Sequence, residues 1–524
     1  MMNRSRSLCS RLLSPGLAVG LFVLLGLTAS PARAGDFMDT RITFFFQDDD
    51  FLHDAGETLP NSPTAGFGVR KGRVFFFENH NRKDRGDETL THLVSYKSVA
   101  GFIPNLTTEA ALVLRLNIDS IYEGNFTAQR GGLRDEGTYI NLRYDLNPAN
   151  KEKVELTLFP FSTERFQLGY SYRMAWGGSN IFGTYRKGPA PGLKLTYTSG
   201  PSYAFVGAKT ATIQRFAPME DTELNDELDT FYAGLLGGGY EVLPELLLEV
   251  NGGVFQRGTI PNLAVRGEAL TAWGASLQAV YHEGIPVGRS ADFGLYRNDP
   301  NRVPTPKTPA DARPFGYSVA VEGTLLQHVL EDPEHYGGTQ AQNALAADMN
   351  VLVQNKGLLV FADFVYRDLP FILFNVPGYH PYQTFLEQES ASPEFWAALG
   401  AEYTFTKRHL TPGITFGLQV PATVETVPNE GSNAPTDSTG SRTVVVRSEG
   451  EQSILPAGEK AVPIFGAKAN LRWDVSEMVS IIGELFFSLD NNRTTFQDDT
   501  TGISTRKFID PYLFGGSIMA QARY

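Results

Sequence analysis

Apolar residues that return at every second position constrain this chain more than any other feature. Ala110, Leu112, Leu114 and Leu116 alternate with Glu109, Ala111, Val113, Arg115 and Asn117. The same beat carries Phe166, Leu168, Tyr170 and Tyr172, then residues 394–405, then residues 464–473. Successive strand side chains point to opposite faces, so each segment predicts a strand with one apolar face and one polar or small face. Val113, Trp396 and Ile464 depart from the rule. These strands run to about ten residues, against a usual five or six, which suits a tilted strand crossing a hydrocarbon layer.

Connections sort into two kinds. Pro104 with Asn105, Leu243 with Pro244, residues 474–478 and residues 407–412 are short. Residues 47–73, 119–136, 212–229 and 421–460 are long and polar. Short turns at one end and long loops at the other predict an all-β fold, a transmembrane antiparallel up-and-down β-barrel with short periplasmic turns and long extracellular loops. Even strand numbers are usual, so the count is expected at about 16 to 18. Closure is obligatory in lipid, where an unpaired edge has no water to satisfy it. The strand beginning near Met38 is therefore expected to pair with the one ending at Tyr524. Residues 154–161 and 345–353 read ambiguously, and residues 220–229 suit a short surface helix. No later segment has the apolar length of a spanning helix.

Arg4, Arg6 and Arg11 precede an apolar run over residues 17–27, followed by Ala32, Arg33 and Ala34. This pattern predicts a cleaved secretory signal over residues 1–34 and a single barrel domain over residues 35–524. Cys9, the only cysteine, would leave with it, which excludes disulfides and thiolate metal sites. The leader holds four arginines and no acid, so the formal charge moves from -13 to -17. Such acidity argues against a nucleic-acid partner.

With apolar faces in lipid, the lumen is expected to receive Glu109, Arg115, Arg143, Glu155, Lys194, Glu249, Asp363, Glu402, Lys468, Arg472 and Glu484. Two readings stay open for these charges: a field that orients passing solutes, or internal salt bridges that stiffen the barrel. Residues 44–46 and 75–77, Tyr170, Tyr172, Trp473, Tyr512 and Phe514 read as interfacial aromatic girdles, since no second hydrophobic layer is evident. Asp48, Asp49 and Asp50 lack the spaced oxygens of a calcium loop and read as a solvated cluster, open to divalent ions bridging lipopolysaccharide. Residues 422–452, rich in Ser, Thr, Gly, Asn and Pro, read as a long mobile loop, and Gly237, Gly238 and Gly239 as a site of bulging or close packing. No nucleophile elbow, zinc-protease helix or phosphate loop occurs, and the eight histidines are scattered, so neither catalysis nor a cofactor or metal is expected.

At the C-terminus Tyr512, Phe514, Gly516, Ile518, Ala520, Ala522 and Tyr524 share one face. An aromatic end to such a strand resembles the sorting signal of bacterial outer-membrane barrels, carried here by Phe514, Ile518 and Tyr524. The pattern as a whole resembles Gram-negative porin-like outer-membrane β-barrels along nearly the full chain. Residues 91–97, 101–116 and 162–178 resemble segments of large myxobacterial-type barrels, some of which serve gliding-motility or export complexes. That second resemblance transfers no site residues. The resemblances imply an outer-membrane location and, as partners, membrane lipid, lipopolysaccharide and the barrel-assembly machinery. The leading functional expectation is a pore for small hydrophilic solutes. The alternative is a scaffold barrel anchoring an envelope-spanning motility or polysaccharide-export complex, with periplasmic or lipoprotein partners.

Overall fold

The computed structural model describes residues 39–52, 63–67, 76–77, 93–118, 133–169, 174–178, 188–214, 228–259, 269–292, 314–332, 335, 338–375, 390–425, 442–447, 452–498 and 504–523. Residues 1–34, expected as a secretory signal, Tyr170, Tyr172, residues 220–227 and Tyr524 lie outside them.

The strands are β1 (Asp39–Asp48), β2 (Thr64–Phe67), β3 (Leu93–Ala100), β4 (Leu106–Asn117), β5 (Leu133–Asp135), β6 (Tyr139–Asn147), β7 (Glu152–Phe159), β8 (Gly192–Ser199) and β9 (Ser202–Gln214). Next come β10 (Leu228–Leu243), β11 (Leu246–Thr259), β12 (Ala269–Glu283), β13 (Gly316–Glu331), β14 (Thr339–Asn355) and β15 (Leu358–Arg367). The rest are β16 (Ser390–Ser392), β17 (Glu394–Tyr403), β18 (Leu410–Val420), β19 (Ala422–Glu425), β20 (Thr443–Val446), β21 (Gln452–Ile454), β22 (Ile464–Asp474), β23 (Val479–Leu489), β24 (Thr494–Asp498), β25 (Ser504–Phe508) and β26 (Tyr512–Arg523).

Every neighbouring pair is antiparallel, and the ring closes where β1 meets β26 from Arg41 opposite Arg523 to Asp48 opposite Gly516. The result is a closed 18-strand barrel, within the expected count. Two of its positions are shared by collinear pieces. β2 and β3 both run antiparallel to β1. β5 and β6 both pair with β4 and are parted by a bulge at Gly137, whose φ of +109° suits glycine. The two ambiguous segments are strands β7 and β14.

Alternation explains the wall. Leu236, Val250, Val254, Leu277, Leu399 and Ile518 are exposed on the outside, whereas their chain neighbours turn inward and are mostly buried. With its backbone paired around the ring and an apolar belt outside, the chain is an outer-membrane-type transmembrane barrel of porin-like fold. The short connections fall at one end, as expected. Asn105, Lys151, Lys356 and His409 close four of them with φ between 52° and 64°. The exception at this end is the connection between β12 and β13, residues 284–315, which the sequence reading did not single out.

Other expectations are corrected. Phe166 and Leu168 alternate like a strand, but residues 160–169 and 174–178 leave the wall after β7 and enter the barrel; only one isolated bridge, Leu168 to Trp176, forms there. Phe45, Phe76 and Phe77 are buried inside rather than exposed in a girdle, whereas Trp473, Tyr512 and Phe514 do face outward. A second hydrophobic layer therefore exists, and it lies within the barrel. One buried cluster joins Phe76, Phe77, Phe166, Trp176, Phe255 and Trp396. The three departures from alternation, Val113, Trp396 and Ile464, belong to it, so they are inward apolar residues rather than errors of register.

Part of the stretch expected as a mobile loop is also ordered. Val444, Val445 and Val446 lie in β20, within a four-stranded sheet of β16, β19, β20 and β21. Arg447 ties this sheet to the loop after β23 through Asp490 at 2.8 Å. A short helix, α1 (Leu369–Asn375), follows β15. The Asp368 carboxylate accepts from the Phe371 N–H at 2.9 Å and the Leu345 N–H at 2.8 Å. Burial pushes that carboxyl above its ordinary value.

Candidate functional site

Among the described residues, charged side chains from many strands converge in the lumen. All eleven charged residues named from the sequence occupy inward positions, as the partners of inward neighbours show: Glu109 pairs across from Asn141, Arg143 from Glu155, and Lys468 from Phe486. Most are engaged with other protein groups. Arg143 lies 3.8 Å from Glu109, Lys468 lies 3.6 Å from Glu484, and Arg115 lies 3.1 Å from Glu136. Glu155 meets Lys153 at 3.1 Å, Arg472 meets Asp474 at 2.8 Å, and Lys194 pairs with Asp292. Asn350 donates to Asp363, and Tyr203 donates to Glu249. Glu402 stands beside Gly413 on β18. Salt bridges and side-chain hydrogen bonds thus tie these charges to the wall. Of the proposed sorting residues, Phe514 and Ile518 face outward from β26.

The inward segment after β7 is held by residues the sequence reading missed. Lys209, fully inside on β9, donates to the backbone carbonyls of Thr163 at 3.4 Å, Phe166 and Gly177. Its ammonium also stands 4.7 Å from the centre of the Phe166 ring. Trp176 Nε1–H donates to Ser276 Oγ at 2.6 Å, and its indole meets Phe255 edge-on at 5.5 Å. Arg165 Nε donates to the Glu136 carbonyl at 2.8 Å, securing the segment to the bulge between β5 and β6. A lysine at an inward position next to Gly207 was the available signal, because an aromatic segment needs both a recess and an anchor.

Glycines make the recess. Gly207, Gly253 and Gly274 fall in one row of neighbours, linked through Leu235. A Cβ on Gly207 would come within 2.4 Å of the Phe166 ring, and one on Gly274 within 2.3 Å of Leu326 and 2.8 Å of Trp176. Gly237 is likewise closed in, by Asn251 and Phe205, which settles close packing as its role. Gly274→Val should therefore destabilise the barrel by about 1–3 kcal/mol through overpacking. Unfolding of the folded protein by denaturant, compared with wild type, checks this.

On the far side of the lumen, Phe76 and Phe77 come in from between β2 and β3. Phe76 meets Trp396 edge-on at 6.0 Å, and Phe77 fills the space above Gly417. Aromatic groups thus enter from two sides of the wall. Acidic Glu322, Asp348 and Asp363 occupy β13, β14 and β15, whereas Arg115 and Arg143 occupy β4 and β6, half the ring away. The two walls differ in make-up, since Arg115 and Arg143 share theirs with Glu109, Glu136 and Glu155. Among the described residues no group of three or more His, Cys, Asp or Glu forms a metal site.

No family model matches the chain, and no curated protein sequence matches it. Among solved structures it is similar to OccAB4 of Acinetobacter baumannii at 9% identity, covering 94% of this chain and 100% of that one, with a TM-score of 0.42. It is similar to OpdQ of Pseudomonas aeruginosa at 7% identity, covering 93% and 96%, with a TM-score of 0.40. A third similar structure is OmpT, an outer membrane protein of Vibrio cholerae, at 8% identity, 93% and 96% coverage and a TM-score of 0.30. At scores this low, it is the strand pairing of this chain itself that establishes its barrel.

Proposed function

We propose that the barrel is a pore for small hydrophilic solutes, narrowed by its own inward segment. The observation that carries this reading is the anchored aromatic segment in a lumen lined by charged side chains of both signs. Arg143 on β6 and Asp363 on β15 stand half the ring apart. Opposed charges across a narrow, partly apolar passage give a transverse field that orients polar solutes and discriminates among ions.

Purified protein in a planar bilayer should give stepwise conductance. Asp363→Asn should shift reversal potential under a salt gradient toward anions, because one cation-attracting charge leaves the wall. Electrical silence of correctly folded barrel would remove the pore reading and favour the scaffold. In that case periplasmic or lipoprotein partners should co-purify.

A further inference from the structure

The connection at residues 284–315 stands out because every other connection at its end of the barrel is short. Its first part does not stay outside. Val287 packs on Leu247, Val280 and Ala320, and Ser290, Ala291 and Asp292 are buried within the wall of β8, β9 and β11. The contacts are specific. Arg289 donates to Thr198 Oγ at 2.8 Å, and its guanidinium lies 4.4 Å from the Tyr203 ring. The Ser290 N–H donates to Glu249 at 3.0 Å, and Asn251 donates to Ser290 Oγ at 3.1 Å. Lys194 donates to the Ala291 carbonyl at 3.0 Å and pairs with Asp292.

Lys194 has a second neighbour. Its ammonium stands 5.5 Å from the Phe166 ring of the inward segment that enters from the long-loop end. The same side chain thus touches one intruding segment from each mouth. We propose that residues 285–292 form a releasable plug of the short-turn half of the lumen, latched by the Lys194–Asp292 pair and joined through Lys194 to the Phe166 segment. This inference rests on the pore reading. Buried Lys194 and Asp292 satisfy one another, so removing either charge strands the other and favours leaving the wall, whereas removing both does not. The latch therefore predicts a non-additive pair of variants.

The test uses full-length barrel with Cys9→Ser, making Ala291→Cys the only thiol. Its reaction with a membrane-impermeant maleimide reads undocking directly. Labelling should be slow with Lys194 and Asp292 present, and roughly tenfold or more faster in Asp292→Asn or Lys194→Gln. The double variant Lys194→Gln with Asp292→Asn should label slowly again. In planar bilayers each single variant should conduct several-fold more than wild type, and the double variant close to wild type. Heat-modifiable migration in gels confirms that each variant is a folded barrel.

Unchanged labelling in both single variants overturns the proposal whether or not the barrel conducts. Faster labelling in a wild-type barrel that conducts, with single variants conducting no more than it does, overturns it as well, since the segment would then obstruct nothing. Faster labelling with silence in every variant, wild type included, overturns the pore reading instead and leaves the latch standing.

Discussion

Deleting residues 161–178, with a short Gly/Ser bridge in their place, should raise single-channel conductance several-fold and weaken ion selectivity. The lost segment carries Phe166 and Trp176, both fully buried inside the wall. Its removal opens the recess over Gly207 and Gly274 to water. The strands need no part of it for closure, because β7 and β8 pair directly from Lys153 opposite Thr198 to Phe159 opposite Gly192. Single-channel recording is the measurement, with a folded, heat-modifiable barrel as its precondition. Conductance equal to wild type would show that the segment does not narrow the passage. Lys209 should then be the costliest wall residue left behind, since its three carbonyl partners depart together and its charge must find water.

Leu277→Arg should destabilise the barrel by about 2–4 kcal/mol, the cost of an arginine on the lipid face near the bilayer midplane. Leu277 is 66% exposed on the outside, near the middle of β12. Tyr281, on the same outward row but close to the short-turn end, supplies the control. Tyr281→Arg should cost only about 0–1 kcal/mol, because arginine there reaches the interface. Reversible unfolding by denaturant in lipid vesicles measures both. Equal costs at the two depths would contradict the placement of the apolar belt.

Much of this architecture is legible in the sequence, because lipid imposes a strict period of two. Outward residues such as Leu399 and Leu485 must be apolar, so each strand announces its register. Glu109, Glu402 and Glu484 could be assigned to the inner face for that reason alone. The same logic fails where the interior is apolar. Phe166 and Leu168 alternate with polar neighbours as a lipid-crossing strand would, yet their apolar face meets Gly207, Phe159 and Lys209. Periodicity reports that a face is buried but not what buries it. Trp396 gave the complementary hint, an indole on a face otherwise suited to water, whose partner Phe76 lies more than three hundred residues away in the chain. The Asp292 latch left no periodic trace, since it depends on a loop residue reaching a lysine on β8.

The seam between β1 and β26 also has a kinetic consequence. Thr43 and Gln521, side by side at the seam with a 3.3 Å hydrogen bond, are separated by 478 residues of chain. Neighbouring hairpins such as β10 with β11 can form as soon as they are made, but this contact has to await the last strand. Loop-closure entropy rises only slowly with length, so the delay costs time more than free energy. Until then β1 presents the bare edge that invites pairing with another chain. A nascent molecule arrested before β26 is therefore a template for aggregation, and the final dozen residues act as the stopper that ends that hazard.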